Sequence, residues 1–317
     1  MYKNKFLITY HTLTPLHVGS GSSLSHIDLP IQRERHTSFP MMAASGIKGV
    51  FRNQAERVWN KDDVNSIFGP EDGNDYSSSI AFTDARVLFY PVKSVRGIFA
   101  WITCPFVLKR LKEDLNIPGL NYGNFNVPEL NQDNKIIILD NSFLKLDGNK
   151  VGLEEFVFEV ENGNNNIIDK IYNCLPETEI RSTLKNRFAI VSDNVFTDLV
   201  NYTTEVRTRI KIDQSTGVVS TGALFTLEMV PSEAIFYSLL FLSNPKVKAS
   251  SSMQANNNAP NSEGSKTDNI ESTQKNQNVV EDKIKKLFNE NGKETVLQFG
   301  GDETIGLGFV KVKISLE

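Results

Sequence analysis

Seven side chains able to carry charge or move a proton fall between residues 17 and 36: His17, His26, Asp28, Arg33, Glu34, Arg35 and His36. With His11 just upstream, this stretch accounts for every histidine in the chain. Next comes SGIKGVFR, which opens a helix at Ser45 with Lys48 and Arg52 four residues apart and so on one face. A helix N-terminus has unpaired N–H groups and a partial positive charge, and it attracts phosphate. Ser45 and Gly46 allow close backbone approach there, and Lys48 and Arg52 add full charges. Asp28 sits among cations and histidines, where a carboxylate beside a phosphodiester can accept a proton or hold a metal ion. Each feature has a plainer account. Ser45 can be an N-cap, Lys48 and Arg52 a solvated helix face, and Asp28 a turn residue before Leu29-Pro30. His11, within a strand, reads as packed. No histidine pair has the HExxH spacing of a zinc hydrolase.

Two further stretches could meet a polyanion. In TEVRTRIKIDQSTGVVSTGALF, Arg207, Arg209 and Lys211 share one strand face, and Val206, Thr208, Ile210 and Ile212 the other. With a turn at Asp213–Gly217, this is a long β-hairpin with one basic face, either a binding surface or a solvated sheet face. The loop GGDETIGLG, Gly300–Gly308, has no following Gly-Lys-Ser/Thr and leads into a strand, which excludes a Walker A loop and a dinucleotide fingerprint. Its N–H groups could meet phosphate, or it could be a flexible hairpin tip.

The elements that must position these residues alternate between strand and helix patterns. Lys5–Thr12, Ile80–Tyr90, Gly97–Thr103, Lys135–Leu146, Phe156–Val160, Phe225–Met229, Ile235–Leu242, Thr295–Phe299 and Phe309–Ile314 read as strands. Ser45–Asn60, Pro105–Leu115, Ile167–Cys174 and Val279–Asn291 read as helices, with Ile47, Val50, Phe51, Ala55 and Val58 on the apolar side of the first. Lys61–Ser79 reads as a polar surface connection. Ala249–Asn278 is rich in Ser, Asn, Gln and Glu and lacks aromatics, so it reads as a disordered insertion.

At 317 residues and 39% hydrophobic, the chain can bury a large core. A net charge of −4 argues against indiscriminate polyanion binding. Residues 1–60 nonetheless hold seven Lys/Arg against three Asp/Glu, a local basic surface compatible with nucleic acid. Cys104 and Cys174 cannot form a zinc site alone, and no disulfide framework is present. The N-terminus lacks signal-peptide architecture and no apolar run is long enough to cross a bilayer, so a cytoplasmic setting without membrane contact is expected.

Taken together, TPLHVGSG (Thr14–Gly21), DLPIQRERHTSFP (Asp28–Pro40), SGIKGVFR (Ser45–Arg52) and GGDETIGLG resemble the RAMP superfamily of CRISPR proteins. More closely, they resemble the repeated backbone subunit of the type III-B (Cmr) effector complex. AFTDARVLFYPVKSVRGIFAWITCP (Ala81–Pro105) and TGALFTLEMVP (Thr221–Pro231) fit the same subunit. The resemblance covers most of the chain apart from the polar insertion. It implies an α+β fold: a single RAMP domain over residues 1–317 with an RRM-like (ferredoxin-like) palm and a long β-hairpin thumb, here within Arg181–Ser220.

It also implies copies stacked in a helical filament on guide (CRISPR) RNA with other Cmr-complex subunits. Complementary target RNA is cut where a thumb splays a nucleotide out. Asp28 matches the aspartate needed for cleavage. Ser45, Lys48 and Gly49, with Gly46 and Arg52, match the guide-phosphate helix start, and Gly300 and Gly301 begin the glycine-rich loop beside the guide. Arg207 and Arg209 lie in the thumb. RNA carries its own nucleophile, the 2′-hydroxyl, so positioning and charge stabilisation suffice. Asp28 could act as a base or as ligand to a divalent ion such as Mg²⁺. His17 could contact RNA or assist proton transfer, and Glu228 could help. The alternatives are a non-cleaving structural guide-binding subunit and a stand-alone guide-processing endoribonuclease.

Overall fold

The computed structural model describes residues 4–71, 77–117, 125–162, 168–169, 175, 179–243, 281–284, 286–287 and 295–315. The expected insertion at 249–278 lies outside the described residues, as does most of the expected helix at 167–174.

A large mixed sheet organises the α+β fold. Its centre is four antiparallel strands in the order β14 (Phe309–Ser315), β1 (Asn4–Thr12), β12 (Ile235–Leu242), β4 (Ala85–Lys93). The sheet continues past β4 through β5 (Phe99–Thr103), β9 (Phe188–Ile190), β6 (Lys135–Ile138), β8 (Phe156–Asn162) and β7 (Lys150–Leu153). At the other edge, β13 (Thr295–Gln298) pairs with β14, and two short strands, β2 (Met41–Met42) and β3 (Ile80–Phe82), pair with β4 and β12. The central strands are buried along most of their length, which suits their continuous apolar runs.

Helix α1 (Ala44–Val58) follows β1 and buries Ile47, Phe51 and Ala55, four residues apart and therefore on one stripe. Phe51 stacks on Phe82 with ring centroids 5.2 Å apart and meets Phe299 edge-on at 6.1 Å, fixing α1 against both β3 and the glycine-rich loop. Burying one such ring contributes about 1.5–3 kcal/mol. The helix starts one residue before the expected Ser45, with Ala43 at the N-cap position and no side-chain cap from Ser45.

Several expected boundaries move. Lys61–Ser79 is not all connection. Its first part is helix α2 (Lys61–Phe68), capped by Asn60 and burying Val64, Ile67 and Phe68. Ile80–Tyr90 is two strands, β3 and β4. Lys135–Leu146 is strand only to Ile138; a turn at residues 147–149 leads into β7, a strand absent from the sequence reading. Gly152 interrupts the pattern of β7, but a side chain there would collide with Val95 Cγ2 at 2.6 Å, so close packing and not turning explains the glycine. Helix α3 (Pro105–Leu115) starts at proline as expected; α4 (Glu179–Arg187) and α5 (Asp193–Tyr202) complete the described helices of eight residues or more.

The hairpin stands apart as a two-stranded sheet of β10 (Glu205–Ile212) and β11 (Val219–Met229). Its ladder reaches Met229, past the Arg181–Ser220 range expected for the thumb. Asp213 closes the tip by accepting from the Ser215 and Thr216 N–H groups. Among the described residues, no further strand pairs with the hairpin's two strands. Val206, Ile210, Ile212, Val219 and Leu224 are all exposed, unusual for a row of apolar side chains.

Candidate RNA interface at the hairpin base

The foot of the hairpin gathers three segments distant in sequence. Residues 27–29 run alongside β11: Leu29 N–H donates to the Thr226 carbonyl, Glu228 N–H to the Leu29 carbonyl, and Leu29 bridges Leu227 in parallel. Leu16 bridges Val230, and the His17 ring donates from Nδ1 to the Glu228 carbonyl at 2.7 Å. A carbonyl only accepts, so a proton sits on Nδ1, which leaves Nε2 as the ring's acceptor whenever the ring carries a single proton. The glycine-rich loop closes from the other side. Gly301 N–H donates to the His17 carbonyl, and Leu307 joins Leu29, Leu227 and Met229 in a small apolar cluster.

Asp28 is exposed at this junction. Its Oδ2 accepts from Thr226 N (2.7 Å) and Thr226 Oγ1 (2.9 Å), and its own N–H donates to Thr226 Oγ1 (3.0 Å). The backbone N–H of Thr226, then its hydroxyl, hold the Asp28 carboxyl below the usual carboxylate range. Thr226 pairs with Thr208, and the next pair on the same face is Ile210–Leu224. The carboxylate is therefore tethered about 7 Å, two residues along a strand, from the exposed apolar pair. The basic face points the other way. Arg209 binds Asp302 Oδ2 at 2.7 Å and lies over the Phe225 ring, so it ties the hairpin to the glycine-rich loop. Arg207 is exposed and pairs with Glu205.

Glu228 is enclosed at the foot of the hairpin. It is buried, and its oxygens accept from Arg33 Nη2 (2.6 Å), Thr204 Oγ1 (2.9 Å) and Ile31 N (3.0 Å). Donors reach both oxygens of the carboxylate, which holds the Asp28 loop onto β11 and gives Glu228 a structural position. Losing one partner of such a buried pair costs about 3–5 kcal/mol. Arg33 and its bonds to Ser38, Val200 and Asn201 were not expected from the sequence. The juxtaposition of Arg33 and Glu228 spans 195 positions, beyond the reach of any local pattern. His11 is packed as expected, buried with Nε2 against Glu233.

The helix start lies beyond this loop. Ala43 N–H is taken by Gln32 Oε1 (2.9 Å) and Ala44 N–H by Asp84 Oδ1 (2.7 Å). Ser45 and Gly46 follow, both exposed, and their N–H groups have no partner among the described residues. A Cβ added at Gly46 or Gly49 would meet nothing within 4 Å, so the fold itself has no use for these glycines. Lys48 has no partner among the described residues either; partial burial, and then the Arg52 charge, pull its pKa down. Arg52 is different. It bonds Glu56 (2.8 Å), the Gly69 carbonyl (2.7 Å) and Asn65 (3.2 Å), clamping α1 to the end of α2. Those bonds give Arg52 a structural role within the chain.

Gly300 is likewise committed internally. At φ +74°, any Cβ would lie 2.1 Å from the His17 carbonyl oxygen. Gly301 N–H is spent on that same oxygen, and Gly306 and Gly308 N–H groups on Glu303 and Pro15. These donors of the loop shape the site and do not face outward. Among the described residues no group of three His, Cys, Asp or Glu side chains could hold a metal ion. Asp28 can offer one carboxylate to an ion held mainly by other oxygens, which suits Mg²⁺ on a phosphate backbone.

This fold, with a carboxylate at the root of an exposed hairpin and an open helix start, places the protein in a defined class. The chain belongs to the RAMP superfamily, whose family model matches residues 9–311. Within it the chain is a homologue of Cmr4. It is 36% identical over 316 residues to the CRISPR system Cmr endoribonuclease Cmr4 of Pyrococcus furiosus, covering 98% of this chain and 95% of that one. The CMR subunit Cmr4 of Saccharolobus solfataricus is 24% identical over 73% of this chain and 85% of its own. The crystal structure of oligomeric Cmr4 from Pyrococcus furiosus superposes with a TM-score of 0.69 at 30% identity, covering 98% of this chain and 97% of that one. The fold recurs, at 23% identity and TM-score 0.68, in the cryo-EM structure of the type III-B Cmr-beta complex bound to cognate target RNA, covering 99% and 98% of the two chains.

Proposed function

We propose that this protein is a guide-RNA-binding backbone subunit of a type III-B CRISPR complex, stacks with copies of itself and other Cmr subunits, and cuts complementary target RNA. The sheet order β14-β1-β12-β4, with α1 after β1, supports an RRM-like palm, and the β10–β11 hairpin supports a thumb. The exposed Ile210–Leu224 pair offers bases an apolar wedge. Ser45, Gly46, Gly49 and Lys48 offer a phosphate seat on the guide side.

The observation that carries the cleavage reading is Asp28, an exposed anion fixed on the wedge face of the hairpin. A splayed nucleotide exposes its 2′-hydroxyl and the adjacent phosphorus. Attack of that hydroxyl expels the 5′-oxygen of the next nucleotide, with no nucleophile needed from the protein. Asp28 accepts a hydrogen bond from, and aligns, the attacking hydroxyl. His17, with Nε2 free to accept, stands beside the same loop. A divalent ion, when bound, would neutralise charge on the phosphate, with Asp28 as its one protein carboxylate.

The test is Asp28→Asn in the assembled complex. Asparagine keeps the Thr226 bonds and removes the charge. Guide content and target affinity are expected to stay unchanged while cleavage falls at least 100-fold, roughly the weight of one well-placed charged group. Cleavage at the normal rate would leave only the guide-binding scaffold.

A further inference from the structure

Gln32 bonds both functional segments at once. Residues 32–41 fold back as a short hairpin: Met41 N–H donates to the Gln32 carbonyl, and Arg33 bridges Pro40. This brings the Gln32 side chain beside the α1 start. Its Oε1 accepts from Ala43 N–H (2.9 Å), two residues before Ser45. Its Nε2 donates to the Gly19 carbonyl (3.1 Å), and its own N–H donates to Val18 (2.8 Å). Gly19 in turn lies against the His17 ring, where any Cβ would sit 2.8 Å from Nε2, and it bridges Ile31. The path from Ala43 to His17 therefore runs through one neutral amide.

The geometry points to Gln32 as a positioning residue that couples the phosphate seat at the α1 start to the loop bearing His17 and Asp28. The inference rests on the proposed cleavage reading. Only an amide fills the role as found, because the bond at Ala43 needs an acceptor and the bond at Gly19 needs a donor. A phosphate drawn onto Ser45 and Gly46 pulls on the same helix end that Gln32 holds. The loop at Gly19 then registers whether guide is seated, and Gln32 needs no contact with the cleaved bond.

The experiment uses complexes assembled with guide, comparing wild type, Gln32→Met, Gln32→Glu and Asp28→Asn. Guide occupancy, target Kd and single-turnover cleavage are measured from pH 8 to pH 5. Gln32→Met has the same length without either bond. It is expected to keep guide occupancy and target Kd within about two-fold while cleavage falls about 10- to 100-fold, the scale of a small misplacement of reacting groups. In Gln32→Glu, the carboxylate repels the Gly19 carbonyl, whereas the protonated acid restores one donor and one acceptor. Its cleavage relative to wild type is therefore expected to rise as pH falls, while the Gln32→Met ratio stays flat.

Wild-type cleavage by Gln32→Met, or guide loss in proportion to lost cleavage, would overturn the coupling, as would a flat Gln32→Glu ratio. Asp28→Asn separates this from the parent reading. If it cleaves like wild type, the catalytic assignment fails; if it is inactive while Gln32→Met is fully active, only the coupling fails.

Discussion

Asp28 is held by one residue, Thr226, which gives its Oδ2 two hydrogen bonds, one from the backbone N–H at 2.7 Å and one from the side-chain hydroxyl at 2.9 Å. Hydrogen bonds to a carboxylate favour its charged form and lower its pKa. The same bonds make Asp28 a weak base and a dependable anion, better suited to orienting a hydroxyl or an ion than to taking a proton outright.

Thr226→Val keeps the N–H and removes the hydroxyl. The Asp28 pKa should therefore rise toward, without reaching, the ordinary value of 3.8, because the larger cause, the backbone bond, persists. In the native protein this depressed pKa adds stability above pH 3.8 that is lost as pH falls through the folded-state value. A carboxyl NMR titration of both proteins checks the direction. An Asp28 pKa that falls in the variant would mean that the hydroxyl is not a donor to the acid.

The hairpin was legible in the sequence because alternation of Arg207, Arg209 and Lys211 against Val206, Ile210 and Ile212 is a local signal of period two. The acid at Asp28 was legible as a motif. What each cation touches was not. Arg52 reads as a free charge until α2 is known to end at Gly69, and α2 itself hid in a polar run, although Asn60 before it and Gly69 after it are ordinary helix boundary residues. Glu228 alternates into β11 like any strand residue, and its Arg33 partner comes from the opposite end of the chain. The glycines of 300–308 read as either N–H groups for a phosphate or a flexible tip, and their packing at Gly300 against the chain's own His17 carries no local signal.

Lys48 and Arg52 share a helix face but should behave oppositely. Lys48→Ala removes a cation without an internal partner, so guide affinity should fall and the slope of log K against log salt should shrink by about one ion. Arg52→Ala breaks the clamp to Gly69 and Asn65, so it should lower the unfolding midpoint and leave the salt slope as it was. Affinity measured across a salt series, with a thermal melt of each variant, decides the matter. Equal slope losses would return Arg52 to the phosphate seat.

Gly49 and Gly300 give a matched contrast, since one glycine is open outward and the other is closed by the chain. Glycine inside a helix costs about 0.5–1 kcal/mol relative to alanine, and a Cβ at Gly49 meets nothing. Gly49→Ala should therefore raise the melting temperature of the free protein while weakening guide binding, because only an external backbone uses that space. Gly300→Ala should do the reverse to stability. Its φ of +74° and a carbonyl oxygen 2.1 Å from the new Cβ force the His17 segment away, at about 2–5 kcal/mol for strain and overpacking together. Since that segment lies next to the Asp28 loop, cleavage should drop with stability. Melting curves and guide titrations on the two variants test both halves. A Gly49→Ala protein that is more stable and binds guide normally would mean that RNA does not approach this face of α1.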